Sequence, residues 1–330
     1  MARRRPTPAP AAGAVDHLGE TRPHPNLTYP LTLTPDGVVA DSRAARVMGL
    51  VSLVVGVGIY VVVTPLVNVG VQSLVWTVSG APGSMADYVA AGQRFEHVWG
   101  LVGQHLGLGV LTLVLLAIMR FLHRRDPRWL WSVSPGVRWR YLMACLLVAV
   151  PVFGAGLLSG GLSAWHPQQG ALGWVVAIAL TSPLQAIAEE VLFRGYLLQA
   201  MGMAVRHEAF AVVASAVLFA VFHGTQNTWL FASRLGFGLL AGFLVWRTGG
   251  LEAPMAAHIV NNLLAFGAAV LTSSVAEVRA VQQIGWAETV RDLLVYVAFG
   301  AGALWVAVRM RVPVRTPALP ATPAGRRRPV

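Results

Sequence analysis

Residues 47–69 read VMGLVSLVVGVGIYVVVTPLVNV, an apolar run without a charged residue, and this stretch decides the fold class. A helix needs about 20 such residues to cross a hydrocarbon core about 30 Å thick. Inside that core every backbone N–H and C=O needs a partner within the protein, which a single apolar run provides only as an α-helix. We therefore interpret residues 47–69 as a transmembrane helix.

Comparable apolar runs follow along the chain, at 98–122, 141–158, 172–200, 209–222, 230–246, 251–271 and 293–308. The composition agrees, because 55% of the 330 residues are hydrophobic and only 12% are charged, against about 25% charged in soluble domains. The sequence predicts an all-α polytopic membrane bundle of about eight transmembrane helices, within residues 45–311. Residues 1–44 and 312–330 are rich in Pro and Arg and lack periodicity, so we interpret them as disordered cytoplasmic tails.

The formal charge of +11 comes from arginines that flank the apolar runs, which does not indicate a nucleic-acid partner. The connection between the second and third runs carries Arg120, Arg124, Arg125, Arg128, Arg138 and Arg140. Basic residues concentrate on the cytoplasmic side of membrane proteins. We therefore expect a multi-pass protein of the plasma membrane with both termini in the cytoplasm. The single cysteine, Cys145, excludes an internal disulfide and a CxxC metal site.

The fourth run carries charged residues, which a membrane helix tolerates only at a cost of about 2.5–3.5 kcal/mol each. They lie in the string AEEVLFRG, which contains Glu189, Glu190 and Arg194. Glu190 and Arg194 are i, i+4 neighbours and can form an ion pair. Glu189 points about 100° away and stays outside that pair. The alternative interpretation is an ordinary ion pair at a cytoplasmic helix end.

Two later runs contain polar residues at helical spacing. His223 ends the fifth run, one turn after Phe219, and the seventh run holds His258 and Asn262 on one helix face, with Asn261 beside them. Each has a structural alternative, since a histidine is common at an interface and polar side chains join membrane helices.

The spacing of these residues brings them to similar depths in the membrane. Glu189 lies 17 residues before Arg206 and His223 lies 17 residues after it. If the turn between the two helices is near Arg206, both side chains lie about 25 Å along their helices from it. His258 follows Leu251, the start of its run, by about 10 Å. We expect the three side chains to converge in the cytoplasmic half of the bilayer.

The ordered motifs EExxxR, FxxxH and HxxxN, over about residues 170–275, resemble the CPBP family of intramembrane glutamic endopeptidases. That family includes type 2 CAAX prenyl proteases and bacteriocin-processing, lysostaphin-resistance-like and self-immunity proteins. The resemblance implies that Glu189 and His223 activate a water and that His258 and Asn262 stabilise the oxyanion. It implies an orienting role for Glu190 and Arg194. Donors aimed at an oxyanion stabilise it most where water is excluded.

The resemblance implies hydrolysis of a peptide bond in a membrane-associated, lipidated or leader-bearing substrate, without a cofactor. Zinc held by Glu189, His223 and His258 is an alternative, because two histidines and a carboxylate also form catalytic zinc sites. A non-catalytic scaffold or immunity protein of the same fold is a second alternative. An ion-coupled transporter is a third, but only His105 and Arg234 add polar groups to other helices.

Overall fold

The computed structural model describes residues 21–34, 43–161 and 164–318. The helices of this part of the chain are α1 Arg43–Val78, α2 Met85–Gln93, α3 Val98–Phe121, α4 Trp139–Ser159, α5 Ala171–Glu190, α6 Leu198–Val205, α7 Glu208–Val221, α8 Thr228–Thr248, α9 Glu252–Thr272, α10 Val275–Ala280 and α11 Trp286–Arg309. A π-helical segment, Val191–Leu197, joins α5 to α6 without a break. Short 3-10 turns form at Tyr29–Leu31 and Pro127–Leu130.

The prediction of an all-α membrane bundle is confirmed. Within the described residues, seven helices are long and apolar enough to cross a membrane, and each overlaps one of the predicted runs. The remaining run is α7, which has 14 residues and is about 21 Å long, shorter than the hydrocarbon core. α2 and α10 lie between the predicted runs and were not anticipated.

The helices bury their polar and small residues against one another and expose large apolar ones. Leu66 on α1 and Leu147 on α4 are 69% and 77% exposed, as suits lipid-facing side chains. α1 packs against α3 through glycines, because a Cβ at Gly107 would lie 2.6 Å from the carbonyl oxygen of Thr64. Small residues four apart permit this close approach of membrane helices.

One end of the bundle, here called the capped end, is covered by both chain tails and by the α3–α4 connection. Tyr29 is fully buried and donates its hydroxyl to the carbonyl of Leu130. The Leu27 carbonyl accepts a 2.9 Å hydrogen bond from the N–H of Thr316. The carbonyl of Pro30 lies directly against Gly202 near the end of α6.

Within the predicted tails, residues 21–34 and 312–318 are thus held by contacts with the bundle and with each other, and the tail residues 1–20, 35–42 and 319–330 lie outside the described part. Composition does not predict these contacts, because a few buried side chains, such as Tyr29 and Thr316, hold short segments whose sequence has no periodic pattern.

The capped end also covers the turn between α8 and α9. Val133 donates its N–H to the Gly249 carbonyl at 2.8 Å, and Leu251 donates to the Trp131 carbonyl at 2.9 Å. Below this turn, the guanidinium of Arg138 binds the fully buried carboxylate of Glu252 at 2.5 Å. The start of α9 is thereby held beneath a layer of protein.

The opposite end, here called the open end, consists of the α1–α3, α4–α5, α7–α8 and α9–α11 connections. His166 of the α4–α5 connection donates its N–H to the Leu271 carbonyl at 2.9 Å. Asn227 after α7 donates to the Gln282 carbonyl at 2.8 Å. α1 begins and α11 ends at the capped end, so the described chain has both its termini on one side.

Candidate active site

The two glutamates of the first motif are the last residues of α5, and the π-helical segment that follows contains Arg194. Glu190 and Arg194 are fully buried, and Arg194 Nη1 donates to Glu190 Oε1 at 3.0 Å. The guanidinium carbon also lies 4.0 Å from the ring centroid of Phe219, a favourable cation–π position. The structure thus brings together the two residues that were expected to form a structural pair.

His258 on α9 lies between the two glutamates. Its Nδ1 is 2.7 Å from Glu190 Oε1, and its Nε2 is 3.6 Å from Glu189 Oε2. Because a carboxylate paired with arginine can only accept, Nδ1 carries the proton of that hydrogen bond. Nε2 can then donate only when it carries a second proton.

His223 follows the C-terminal end of α7 and is oriented by the backbone. Its Nδ1 lies 2.7 Å from the carbonyl oxygen of Phe219, which can only accept, so Nδ1 is the protonated nitrogen. Nε2 is left with a lone pair to take a proton. This arrangement is the one required of a general base.

Asn262, one turn after His258, is held by a residue that the sequence analysis missed. Its Nδ2 donates to Gln185 Oε1 at 2.8 Å, and Gln185 is buried one turn before Glu189 on α5. The amide has a second N–H, which this contact leaves available. Asn261 instead donates to Asn262 Oδ1 at 3.2 Å. Gln185 is a polar residue four positions before Glu189 and so lies on the same helix face, and this spacing is the sequence signal that could have revealed the contact.

Two cavities meet at the site. The smaller, about 330 Å³, lies between α4, α8, α9 and α11 and is lined by His223, His258 and Asn262. The larger, about 760 Å³, is lined by Glu189 and His223 and by residues of the open-end connections. Arg234 lines both, and its Nη1 donates to Gln226 Oε1 at 2.8 Å. Arg234, which the sequence analysis considered only as a polar group on another helix, therefore borders the candidate site.

The residues of the site converge, and the side of the bilayer on which they lie stays a prediction. Both cavities reach the open end, which is the end opposite the arginine-rich α3–α4 connection. His223 lies at the end of α7 farthest from the α6–α7 turn, and Glu189 lies about 25 Å along the helix from that turn. His258 joins them because the α8–α9 turn is buried below the cap.

The zinc alternative requires Glu189, His223 and His258 to form one ligand set. Among the described residues, no three His, Cys, Asp or Glu side chains are grouped as metal ligands. The Nδ1 of His258 is engaged by Glu190, and its Nε2 lies 3.6 Å from Glu189 Oε2. Independence from metal stays a prediction.

Comparison with known proteins agrees with the motifs. Residues 171–264 match the family model described as "Type II CAAX prenyl endopeptidase Rce1-like". A Bacillus subtilis (strain 168) protein, "Uncharacterized protein YyaK", is 28% identical over 163 residues, which cover 46% of this chain and 54% of that protein. The chain thus spans about half the length of that relative. No solved structure matches the chain.

The matched segment begins with α5 and ends in α9, and it contains every residue of the three motifs. The resemblance drawn from these motifs is therefore confirmed. This chain is a multi-pass membrane protein whose residues 171–264 are similar to the Rce1-like family of type II CAAX prenyl endopeptidases.

Proposed function

We propose that the protein is an intramembrane glutamic endopeptidase that hydrolyses a peptide bond of a membrane-associated, lipidated or leader-bearing substrate without a metal. The observation that carries the proposal is the position of His223. Its unprotonated Nε2 belongs to a side chain that borders both cavities, with Glu189 lining one and His258 and Asn262 lining the other. A water, a base and oxyanion donors can meet there.

The chemistry follows from these positions. Glu189 and His223 take a proton from water as its oxygen bonds to the carbonyl carbon of the substrate. The resulting oxyanion accepts hydrogen bonds from the free N–H of Asn262 and from Nε2–H of protonated His258. When the C–N bond breaks, the proton held by Glu189 and His223 passes to the leaving amine. Glu190 and Arg194 hold His258 in the required orientation.

We also propose that both termini lie in the cytoplasm, since the arginines are concentrated at the capped end. The tails, the α3–α4 connection and the helix ends there carry Arg22, Arg43, Arg46, Arg120, Arg124, Arg125, Arg128, Arg138, Arg140, Arg206, Arg247, Arg309, Arg311 and Arg315. The open-end connections and adjoining helix starts carry Arg94, Arg234, Arg279 and Arg291 together with acidic residues. Such a bias orients membrane proteins with the basic end inside.

The function is tested by comparing the membrane proteomes of a wild-type strain and a Glu189→Gln strain. We expect at least one uncut precursor to accumulate in the variant strain, and its cleavage by purified wild-type protein to continue in EDTA. Absence of any precursor difference would favour a non-catalytic member of the fold, and loss of cleavage in EDTA with recovery on adding Zn²⁺ would favour the metal alternative.

Removing the amide donor should slow the reaction without unfolding the protein. Asn262→Ala is expected to lower kcat about 10²–10³-fold, as for loss of one oxyanion donor. Gln185→Leu keeps the Asn262 amide but removes the hydrogen bond that orients it, so we expect a smaller loss of kcat. Asn261→Ala is the matched control, because Asn261 contacts Asn262 and not Gln185. A larger loss in Asn261→Ala than in Asn262→Ala would assign the donor to Asn261.

A further inference from the structure

The larger cavity opens through residues that belong to three different open-end connections. Its lining includes Arg94 and Glu96 before α3, Thr225 after α7, and Glu277 and Arg279 in α10. Charged side chains of both signs at this opening keep it hydrated. The opening therefore suits a polar polypeptide segment arriving from water.

The way to the site from the capped end is filled with packed side chains. Every residue from Glu252 to His258 on α9 is buried. Above them, Arg138 donates to the Thr248 carbonyl at 2.8 Å and to the Pro313 carbonyl at 2.9 Å in addition to its ion pair with Glu252. A buried ion pair of this kind is costly to break. Entry from the capped end would require the cap to come apart.

These two observations and the distribution of arginines bear on the compartment from which the substrate comes. The end that is closed is the basic end, which the proposed orientation places in the cytoplasm. The end that is open carries Asp87, Glu96, Glu277, Glu288 and Asp292 against Arg94, Arg234, Arg279 and Arg291. We propose that the site takes its substrate from the outer side of the membrane, as a polypeptide segment exposed at the extracytoplasmic surface. That the molecule entering the site is a substrate rests on the proposed function. The accessibility of the cavity from the outer side does not depend on that function.

Single-cysteine labelling in intact cells tests the inference. Cys145 is buried, and Cys145→Ala provides a background without other thiols. In that background Thr225→Cys places a thiol at the opening of the larger cavity, and Pro135→Cys places an exposed thiol at the capped end. We expect a membrane-impermeant maleimide to label Thr225→Cys in intact cells and to label Pro135→Cys only after the membrane is permeabilised.

The reverse pattern, with Pro135→Cys labelled in intact cells and Thr225→Cys protected, would overturn the inference. Repeating the experiment with Glu189→Gln added separates it from catalysis, because labelling does not depend on turnover. If the labelling follows the expectation but no precursor accumulates in the Glu189→Gln strain, the proposed function fails while the outward-facing cavity stands. If precursors accumulate and the labelling is reversed, the protease stands and the outward-facing cavity fails.

Discussion

Replacing Glu189 by glutamine is expected to reduce cleavage of the accumulated precursor by about 10²–10⁴-fold, the usual contribution of a positioned general base. His223→Ala should cause a loss of similar size. Because the two side chains act on one water, their effects cannot add, and the double variant should be little slower than either single variant. The measurement is the initial rate of product formation by purified protein in proteoliposomes, with circular dichroism to verify helicity.

The matched control is Glu288→Gln, which removes a carboxylate in the first turn of α11 that lines neither cavity. We expect this variant to cleave at the wild-type rate. Wild-type cleavage by a folded Glu189→Gln protein would contradict the glutamate mechanism. Losses of Glu189→Gln and His223→Ala that multiply in the double variant would show that the two residues serve separate steps.

Breaking the buried pair of Glu190 and Arg194 should have the largest effect on stability. Each single change leaves one charge without its partner among fully buried groups, a loss of about 3–5 kcal/mol in comparable pairs. Glu190→Gln and Arg194→Leu are therefore each expected to lower the melting temperature in detergent strongly. The double variant should be less unstable than the sum of the two, since neither charge remains.

The matched control is Glu96→Gln, which removes the acidic partner of the exposed Arg94. An exposed ion pair contributes little, so the melting temperature should hardly change. Strictly additive losses for Glu190→Gln and Arg194→Leu would contradict an interaction between them. Glu190→Gln should also slow cleavage in the fraction that folds, because Glu190 orients His258, whereas Glu288→Gln should not.

The transmembrane helices could be predicted from the sequence because their determinant is local. Each run is apolar enough on its own to define a helix, whatever its neighbours are. The residues of the site were found for a related reason, since a charge such as Glu189 stands out in an apolar helix. The ion pair of Glu190 and Arg194 follows from i, i+4 spacing, which the π-helical segment did not abolish.

Contacts between distant segments could not be predicted. The end of the bundle at which the site opens depends on the burial of the α8–α9 turn beneath residues 131–133, and nothing in the turn itself signals this. The order in residues 21–34 depends on a carbonyl of the α3–α4 connection and on Thr316. The hydrogen bond from Asn262 to Gln185 joins two helices whose relative rotation a single sequence does not reveal.

The π-helical segment makes the long helix from Ala171 to Val205 a helix with two phases. A π turn holds about one residue more than an α turn, and one residue corresponds to a rotation of about 100°. Gln185 and Glu189 therefore face α9 in one phase, whereas Gly202 faces Pro30 in the other. Deleting a single residue between 191 and 197 would give the helix one continuous phase. Either Glu189 would then turn away from His258, or Gly202 would turn away from Pro30, so the number of residues in this stretch is constrained as well as their chemistry.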